Sequence, residues 1–92
     1  MSYRLIFTKL SQKEYKKLDS TIRDQFRKKL IKRLQNPKVS SDKLSGYDNI
    51  YKIKLRDSGF RLAYEVKDKE IIVLVLKIGK RDKFYELLKK SL

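Results

Sequence analysis

The N-terminal part of the chain alternates apolar and polar positions in a pattern that predicts one strand and two helices. Residues 3–7 are aromatic and β-branched, which favours a strand. Ser11 and Glu14 have the spacing of a capping box, so a helix is predicted to open there and to end near Leu18. Ser20 is predicted to cap a longer helix that stops at Asn36-Pro37, since the residue before proline disfavours helical backbone. The two helices should form a hairpin with almost no loop.

The second helix carries a single apolar stripe. Its apolar residues recur every four positions, at Ile22, Phe26, Leu30 and Leu34, with Ile31 beside them. A period close to one helical turn gathers these side chains on one face, which is expected to pack against the core. Lysine and arginine occupy many of the positions between them, so the opposite face should be basic and exposed.

The C-terminal half predicts an antiparallel meander followed by a short helix. Strand-like runs lie at residues 50–55, 61–66 and 71–78, and the links between them are short enough for hairpins. Asp82 is predicted to open a terminal helix that carries Phe84, Leu87 and Leu88. Elements in this order give an α+β fold. The absence of repeats and linkers predicts a single domain over residues 1–92.

The apolar pattern also predicts the register of the first hairpin of the meander. Side chains alternate along a strand, so Lys52 and Lys54 should lie on the face opposite the apolar residues of their strand. On the next strand Arg61 should share the basic face, while Leu62 and Tyr64 face the core. Lys54 must then lie opposite Arg61, because a slip of one residue would bury lysines. The three cations are therefore predicted to crowd one face of two neighbouring strands.

This crowding favours a binding face for a polyanion. Like charges directly across strands are destabilising, and a sequence shaped only by folding would alternate signs there. Lys80 and Arg81 follow the third strand and are expected near the same cluster, with Tyr85 one turn into the last helix. Cations beside an aromatic ring are what single-stranded RNA requires. Two plainer interpretations remain open here: an ordinary solvated face of a one-sided sheet, and a tyrosine that only covers the core.

Composition strengthens the case for RNA. The chain has 25 Lys and Arg against 11 Asp and Glu, a net charge of +14 and a pI near 10.1, which suggests a polyanionic partner. It has no Cys and no His, which excludes disulfides, thiolate metal sites and His-based acid–base catalysis. It has no apolar run of membrane-spanning or signal length. We therefore expect a soluble, cytoplasmic protein without a membrane association.

The remaining chemistry is cleavage of RNA by its own 2′-hydroxyl, without a metal or a small-molecule cofactor. Such an enzyme must align the 2′-oxygen with the phosphorus and neutralise the charge that develops there. A lysine accepts a proton only in its neutral form, which like-charged neighbours favour, so Lys54 is the best candidate base. Arg81 suits charge stabilisation because arginine is a poor proton donor. Asp57 with Glu65 and Lys67 faintly resembles a metal-nuclease pattern that chance explains in so basic a chain.

The run KLSGYDNIYKIKLRDSGFRLAYEVKDKEIIVLVLKIGKRDKFYE at residues 43–86 closely resembles the RelE toxins of toxin–antitoxin pairs. The segment YKIKLRDSGFRLAYEV and the GKRD turn are the most specific parts, and the resemblance covers nearly the whole chain. It implies a microbial-ribonuclease-like α+β fold. It also implies an mRNA interferase, an endoribonuclease that cleaves mRNA in the ribosomal A site and inhibits translation. A cognate antitoxin protein wrapped around the toxin would silence it.

The resemblance assigns catalysis to Lys52, Lys54, Arg61, Arg81 and Tyr85. The lysines are implied to activate the 2′-hydroxyl, the arginines to stabilise the phosphate and leaving group, and the tyrosine to orient the nucleotide. Further basic residues are expected to contact RNA: Lys43, Arg56, Lys80, Lys29, Lys32 and Arg33. The chain departs from the family at Ser45, where some members have arginine, and in a segment before Tyr85 that is about two residues shorter.

Two other functions fit the sequence. The related ParE branch shares the fold but poisons DNA gyrase, and it generally lacks the full set of Lys52, Lys54, Arg61 and Arg81. A non-enzymatic basic module that binds RNA or the ribosome fits the composition equally well. A map of mRNA cleavage on stalled ribosomes would separate these three functions.

Overall fold

A computed structural model describes residues 2–92 and confirms the predicted α+β class and order of elements. The strands are β1 (Arg4–Phe7), β2 (Ile50–Lys54), β3 (Phe60–Lys67) and β4 (Ile72–Lys80). The helices are α1 (Lys9–Lys17), α2 (Ser20–Gln35) and α3 (Phe84–Ser91), with a 3₁₀ turn at Ser40–Asp42. Within the described part of the chain, no helix has both the length and the apolar character needed to cross a membrane.

The four strands form one mixed sheet in the order β1-β4-β3-β2. β2, β3 and β4 form the predicted antiparallel meander, whereas β1 lies parallel to β4 at the other edge. The predicted register of the first hairpin is confirmed, because Lys54 pairs with Arg61. β2 is therefore an edge strand, and the basic cluster lies at that edge.

The predicted starting points of both N-terminal helices are wrong. Thr8 caps α1, and its hydroxyl accepts a hydrogen bond from the Ser11 amide over 3.1 Å. Ser11 instead lies buried in the first turn, where its hydroxyl donates to the Val75 carbonyl over 2.8 Å. α2 is capped by Asp19, whose carboxylate accepts from the Ile22 amide over 2.9 Å. The sequence offers several cap-forming residues in a row, and packing against the sheet selects between them.

The main core lies between the sheet and the helices α1 and α2. Ile22, Phe26 and Leu30 of α2 are buried there, and Leu34 packs against it from the margin. Ile31, which was expected beside this stripe, is 53% exposed. Only a narrow stripe of α2 contacts the sheet. The residue after Leu30 is turned by about 100° around the helix axis, so its side chain points away from the sheet.

A second, smaller core lies on the opposite face of the sheet, under α3. Ala63 of β3 is fully buried there with Phe84 and Leu88 of α3. Leu87, the third apolar residue predicted on this helix, is 45% exposed. The basic residues of β2 and β3 therefore do not lie on an open, one-sided sheet. They lie beside an apolar layer that forms one wall of a cleft.

A bulge in β4 changes which residues face each core. Ala63 pairs with Lys77 and Tyr64 with Val75, so Leu76 is an extra residue on β4. Val73 and Val75 face the main core before the bulge, and Ile78 faces it after the bulge, so the extra residue shifts the alternation of β4 by one position.

Candidate active site and RNA interface

Cationic residues of β2 and β3 line an open cleft of about 560 Å³ between the sheet and α3. One wall is basic, and the other contains apolar and aromatic side chains of α3 and of the loop before β2, interspersed with Lys43, Ser45 and Lys89. The lining residues are Lys43, Leu44, Ser45, Tyr47, Lys52, Lys54, Arg61, Tyr85, Leu88 and Lys89. A cleft with these two walls suits a nucleotide, which has a charged phosphate and a flat apolar base.

The hairpin of β2 and β3 positions the three central cations. Lys52 and Lys54 are two residues apart and so point to the same face, and Arg61 lies directly opposite Lys54. Lys54 is exposed, whereas Lys52 and Arg61 are half-buried. Their mutual repulsion is relieved when an anion binds among them, which is a property of a phosphate site.

Tyr85 is held against Arg61. Nη1 of Arg61 donates to the Tyr85 hydroxyl over 2.8 Å, and the guanidinium carbon lies 5.4 Å from the ring centroid. On its other side the ring meets Phe84 edge-on, with 5.3 Å between centroids. The ring is still 38% exposed. The shortened segment after Arg81 therefore still brings Tyr85 to the cluster, with part of its ring free for a base to stack on.

Arg81 lies in an adjoining cleft of about 310 Å³ that shares Lys54 and Arg61 with the first. Its backbone amide donates to the Gly59 carbonyl over 2.8 Å, which ties the end of β4 to the turn between β2 and β3. Lys83 then adopts a left-handed conformation, with φ of 58°, that redirects the chain into α3. The structure thus gathers all five predicted catalytic residues in two connected clefts.

The other residues predicted to bind RNA, apart from Arg33, divide into two groups. Lys43 lines the first cleft and Arg56 the second, and Lys29 of α2 lines neighbouring depressions together with Lys54 and Arg56. Lys80 instead lies over Phe60, with its Nζ 5.5 Å from the ring centroid, and Lys32 is exposed on α2. Neither of these two side chains lines the clefts described here.

Arg33 has a different environment, because its guanidinium is bonded within the protein. It pairs with Asp42, and it donates to the Tyr64 hydroxyl and to the Lys52 carbonyl. Its side chain is 17% exposed. An arginine with so many protein acceptors has few donors left for a phosphate.

The sequence-based prediction missed the apolar wall of the cleft. Leu44, Tyr47 and Leu88 border it, and Tyr47 packs on the smaller core under α3. An aromatic residue close after Lys43 was the available signal. It was not decisive, because only the position of α3 turns this loop into the wall of a site.

The carboxylates of the faint metal-nuclease pattern lie apart. Asp57 is in the turn between β2 and β3, whereas Glu65 pairs with Ile50 at the far end of the same hairpin. In the region that the structure describes, no group of three or more metal-ligating side chains comes together. The carboxylate pattern in the sequence therefore does not correspond to a spatial cluster.

Comparison with known proteins gives the family. The family described as the ParE toxin of the type II toxin–antitoxin system parDE matches residues 5–85. The mRNA interferase toxin RelE of Escherichia coli strain K12 is 46% identical over 83 residues, which are 90% of this chain and 87% of that protein. The chain belongs to the RelE family of toxins. The sequence-based assignment to the RelE family is thereby confirmed.

Solved structures of RelE agree with this fold. A double mutant of E. coli toxin RelE in the free state has a TM-score of 0.90 at 41% identity, covering 100% of this chain and 99% of that chain. RelE in the intact E. coli RelBE toxin–antitoxin complex has a TM-score of 0.84 at 46% identity, covering 86% of this chain and 96% of that chain. The parts played by individual cleft residues in this RelE-family chain remain predictions.

Proposed function

We propose that this chain is the toxin of a toxin–antitoxin pair and acts as an mRNA interferase that cleaves mRNA on the ribosome. The observation that carries the proposal is the cleft in which Lys52, Lys54 and Arg61 face an exposed Tyr85 ring. Its similarity to the E. coli mRNA interferase toxin RelE supports the same activity. Action in the ribosomal A site would place the protein in the cytoplasm.

The cleft residues suit a reaction in which the RNA supplies its own nucleophile. Lys54, or Lys52 beside it, takes the proton of the 2′-hydroxyl, and the 2′-oxygen attacks the adjacent phosphorus. Arg61 and Arg81 neutralise the charge on the phosphorane, and the P–O5′ bond breaks. The departing 5′-oxygen takes a proton from water, and the lysine returns its proton to the solvent, so the products are a 2′,3′-cyclic phosphate and a 5′-hydroxyl. Tyr85 stacks on a base and aligns the attack.

The proposed partners are a cognate antitoxin, the ribosome and mRNA. RelE of E. coli was solved in complex with its antitoxin, which supports an equivalent partner here. The net charge of +14 suits both ribosomal RNA and an acidic or amphipathic antitoxin segment. Inhibition then follows when the antitoxin covers the basic cleft or displaces α3.

The decisive test is cleavage of an mRNA with a single 2′-deoxy sugar at the cut site, on programmed ribosomes. We expect the unmodified mRNA to be cut to a 2′,3′-cyclic phosphate and the modified one to resist. Normal cleavage of the deoxy substrate would mean that water is the nucleophile and that the lysine-base scheme is wrong. Binding of the ribosome without any cleavage would favour the non-enzymatic module.

The absence of a metal requirement is tested on the same ribosomes. The toxin is treated with a chelator, and the magnesium that keeps the ribosomes intact is held constant and low. We expect unchanged cleavage, because Lys and Arg supply both the base and the charge stabilisation. Activity that returns only when a transition metal is added would contradict the scheme.

Inhibition of DNA gyrase is the second candidate function. The match to the family described as ParE toxin favours it. A supercoiling assay with purified gyrase distinguishes the two candidates. We expect no inhibition at toxin concentrations that cleave mRNA completely on ribosomes.

A further inference from the structure

Arg33 of α2 connects four parts of the molecule. Its guanidinium pairs with Asp42 of the 3₁₀ turn and donates to the Tyr64 hydroxyl of β3 over 2.8 Å. It also donates to the backbone carbonyl of Lys52 in β2 over 3.3 Å. The guanidinium carbon lies 5.8 Å from the centroid of the Tyr64 ring. Through these contacts, one side chain links a helix, a turn and two strands.

The contact with Lys52 matters because β2 is the edge of the sheet. Along an edge strand, every second carbonyl points away from the sheet and lacks a strand partner. The Leu44 amide donates to the outward carbonyl of Ile50 over 2.9 Å, and Arg33 donates to the next one, that of Lys52. Arg33 thus replaces a neighbouring strand at the position of a candidate catalytic lysine.

The other acceptor of Arg33, the Tyr64 hydroxyl, has a fixed position. Tyr64 is fully buried, and its hydroxyl donates to the Pro37 carbonyl over 2.6 Å while it accepts from Arg33. Burial raises the pKa of this hydroxyl, although Arg33 beside it acts in the opposite direction, so the group stays protonated and remains a donor. A buried hydroxyl with both partners satisfied gives Arg33 a rigid anchor.

We propose that Arg33 is a positioning residue for RNA cleavage, which holds the free edge of β2 so that Lys52 and Lys54 meet the 2′-hydroxyl and the phosphate in a constant geometry. This role rests on the proposed function. Attack in line with the departing oxygen is sensitive to geometry, and a displacement of ~1 Å can cost about 10² in rate. Arg33 acts through the backbone of Lys52 and not through a contact with RNA.

Lys29, one turn earlier in α2, is a cation that faces solvent and provides a comparison for Arg33. It is exposed and lines two depressions with Lys54 and Arg56. Arg33 borders one of them, but its donors point at protein acceptors. A phosphate contact would affect RNA affinity and its salt dependence, whereas a positioning residue affects the cleavage rate at saturation.

The experiment measures single-turnover mRNA cleavage on programmed ribosomes over a range of toxin concentrations and salt. The variants are Arg33→Gln and Tyr64→Phe, and thermal melting shows that each is folded at the assay temperature. Tyr64→Phe is informative because its buried hydroxyl cannot touch RNA. We expect the saturating rate to fall about tenfold to a hundredfold in both variants. The half-saturating concentration and the salt dependence should change less than about twofold.

Arg27→Gln is the matched control, because it removes the same charge from the same helix. Arg27 is exposed, and its one ion pair is weak, with 4.0 Å between its Nε and the Oδ1 of Asp24. We expect it to cleave at the wild-type rate, and an equal loss would assign the effect to net charge and overturn the proposal. Arg33→Gln with a normal saturating rate, weaker binding and a flatter salt dependence would make Arg33 an RNA contact. A wild-type chain that cleaves no mRNA would overturn the proposed function and this role together.

Discussion

At the scale of single residues, the position of Lys54 makes it the better candidate for the catalytic base. Lys54 is exposed and faces Arg61 across the hairpin, and it borders both the cleft under α3 and the cleft that holds Arg81. Lys52 shares only the first of these clefts. A base must reach the 2′-hydroxyl while the arginines hold the neighbouring phosphate, and Lys54 is the lysine that borders both. We therefore propose Lys54, before Lys52, as the residue that accepts the proton.

Replacement of Lys54 by alanine should separate catalysis from binding. Loss of a general base typically costs ~10²–10⁴ in rate, whereas loss of one phosphate contact mainly weakens binding. We expect Lys54→Ala to lose a factor in that range in single-turnover cleavage and to keep nearly the same ribosome affinity. Lys13→Ala, at an exposed position on α1, is the control and should cleave normally. Full cleavage by Lys54→Ala at saturation would make Lys54 an RNA anchor and direct attention to Lys52.

At the scale of elements, α1 secures the part of β4 that β1 does not reach. β1 ends at Phe7, which pairs with Val75, and β4 continues for five more residues up to Lys80. There the Glu14 carboxylate accepts from the Ile78 amide over 2.9 Å and forms an ion pair with Lys77. Glu14 thus supplies the acceptor that an adjacent strand would otherwise offer. The end of β4 leads directly to Arg81, so this contact also supports the site.

Replacement of Glu14 by alanine should be strongly destabilising. The side chains of Lys77 and Glu14 are only 12% and 19% exposed, so the change leaves an ammonium group nearly buried without its partner. Breaking a buried pair in this way costs about 3 kcal/mol. We expect a loss of that size in the free energy of unfolding, measured by urea denaturation. Lys77→Met also leaves a charge without its ion-pair partner, but the Glu14 carboxylate keeps the hydrogen bond from the Ile78 amide. We expect it to lose less than Glu14→Ala, and an equal or larger loss would contradict this account.

A second tie joins Tyr3, directly before β1, to the turn between β3 and β4. The Asp68 carboxylate accepts from the Tyr3 hydroxyl over 2.8 Å and forms an ion pair with Lys38. The hydrogen bond from Lys38, followed by that from Tyr3, holds the pKa of Asp68 below its usual value. The same contacts raise the pKa of Lys38 and of Tyr3. The tie is therefore strongest when Asp68 is ionised and both partners are protonated.

Replacement of Asp68 by asparagine should reduce stability in a pH-dependent way. A carboxylate with a lowered pKa stabilises the fold above its ordinary value of 3.8, and this contribution is lost as the pH falls through the lower folded value. We expect Asp68→Asn to melt a few degrees lower than wild type at about pH 7, with the difference vanishing towards about pH 2. Asp24→Asn, at an exposed position on α2, should shift the melting temperature little. A constant difference at all pH values would contradict this account.

At the scale of the whole molecule, charge should control the encounter with partners. A chain of +14 with a cationic cleft attracts acidic segments from a distance, and salt screens this attraction. Apolar packing against the wall formed by Leu44, Tyr47 and Leu88 is not weakened by this screening. Electrostatic attraction should therefore govern how fast the antitoxin arrives, while apolar packing governs how long it stays.

Association of the cognate antitoxin should slow markedly with salt. We expect the association rate to fall at least about tenfold between about 50 and 500 mM salt, and the dissociation rate to change less than about twofold. Surface-based or stopped-flow kinetics measure both rates. Neutralising Lys52 and Lys54 should reduce the salt dependence more than neutralising Lys13 and Lys16 on α1, which removes the same charge elsewhere. Association that is independent of salt would rule out electrostatic steering.

The sequence by itself determined the features that depend on neighbouring positions. Alternation along β2 and β3 leaves one register that keeps lysines out of the core, and the predicted pairing of Lys54 with Arg61 is confirmed. The same alternation put Lys52 on the basic face. Net charge and the lack of His and Cys restricted the chemistry before any contact was known. The alternation is a local property of each strand, and the residue types present are known without any contact. Neither inference therefore depends on how distant segments pack.

The tertiary structure decided what depends on packing between distant segments. The placement of α3 over β3 buried Ala63 and turned a basic strand face into one wall of a cleft, which no local pattern could indicate. It also selected Thr8 over Ser11 as the cap of α1, since the Ser11 hydroxyl donates to the Val75 carbonyl. In the sequence, Arg33 is indistinguishable from the other basic residues of α2. It bonds to Tyr64 and Lys52 because the fold brings the edge of β2 under α2. Hydrogen bonds between residues 19 and 31 positions apart are set by the fold, and the charge pattern of a helix carries no record of them.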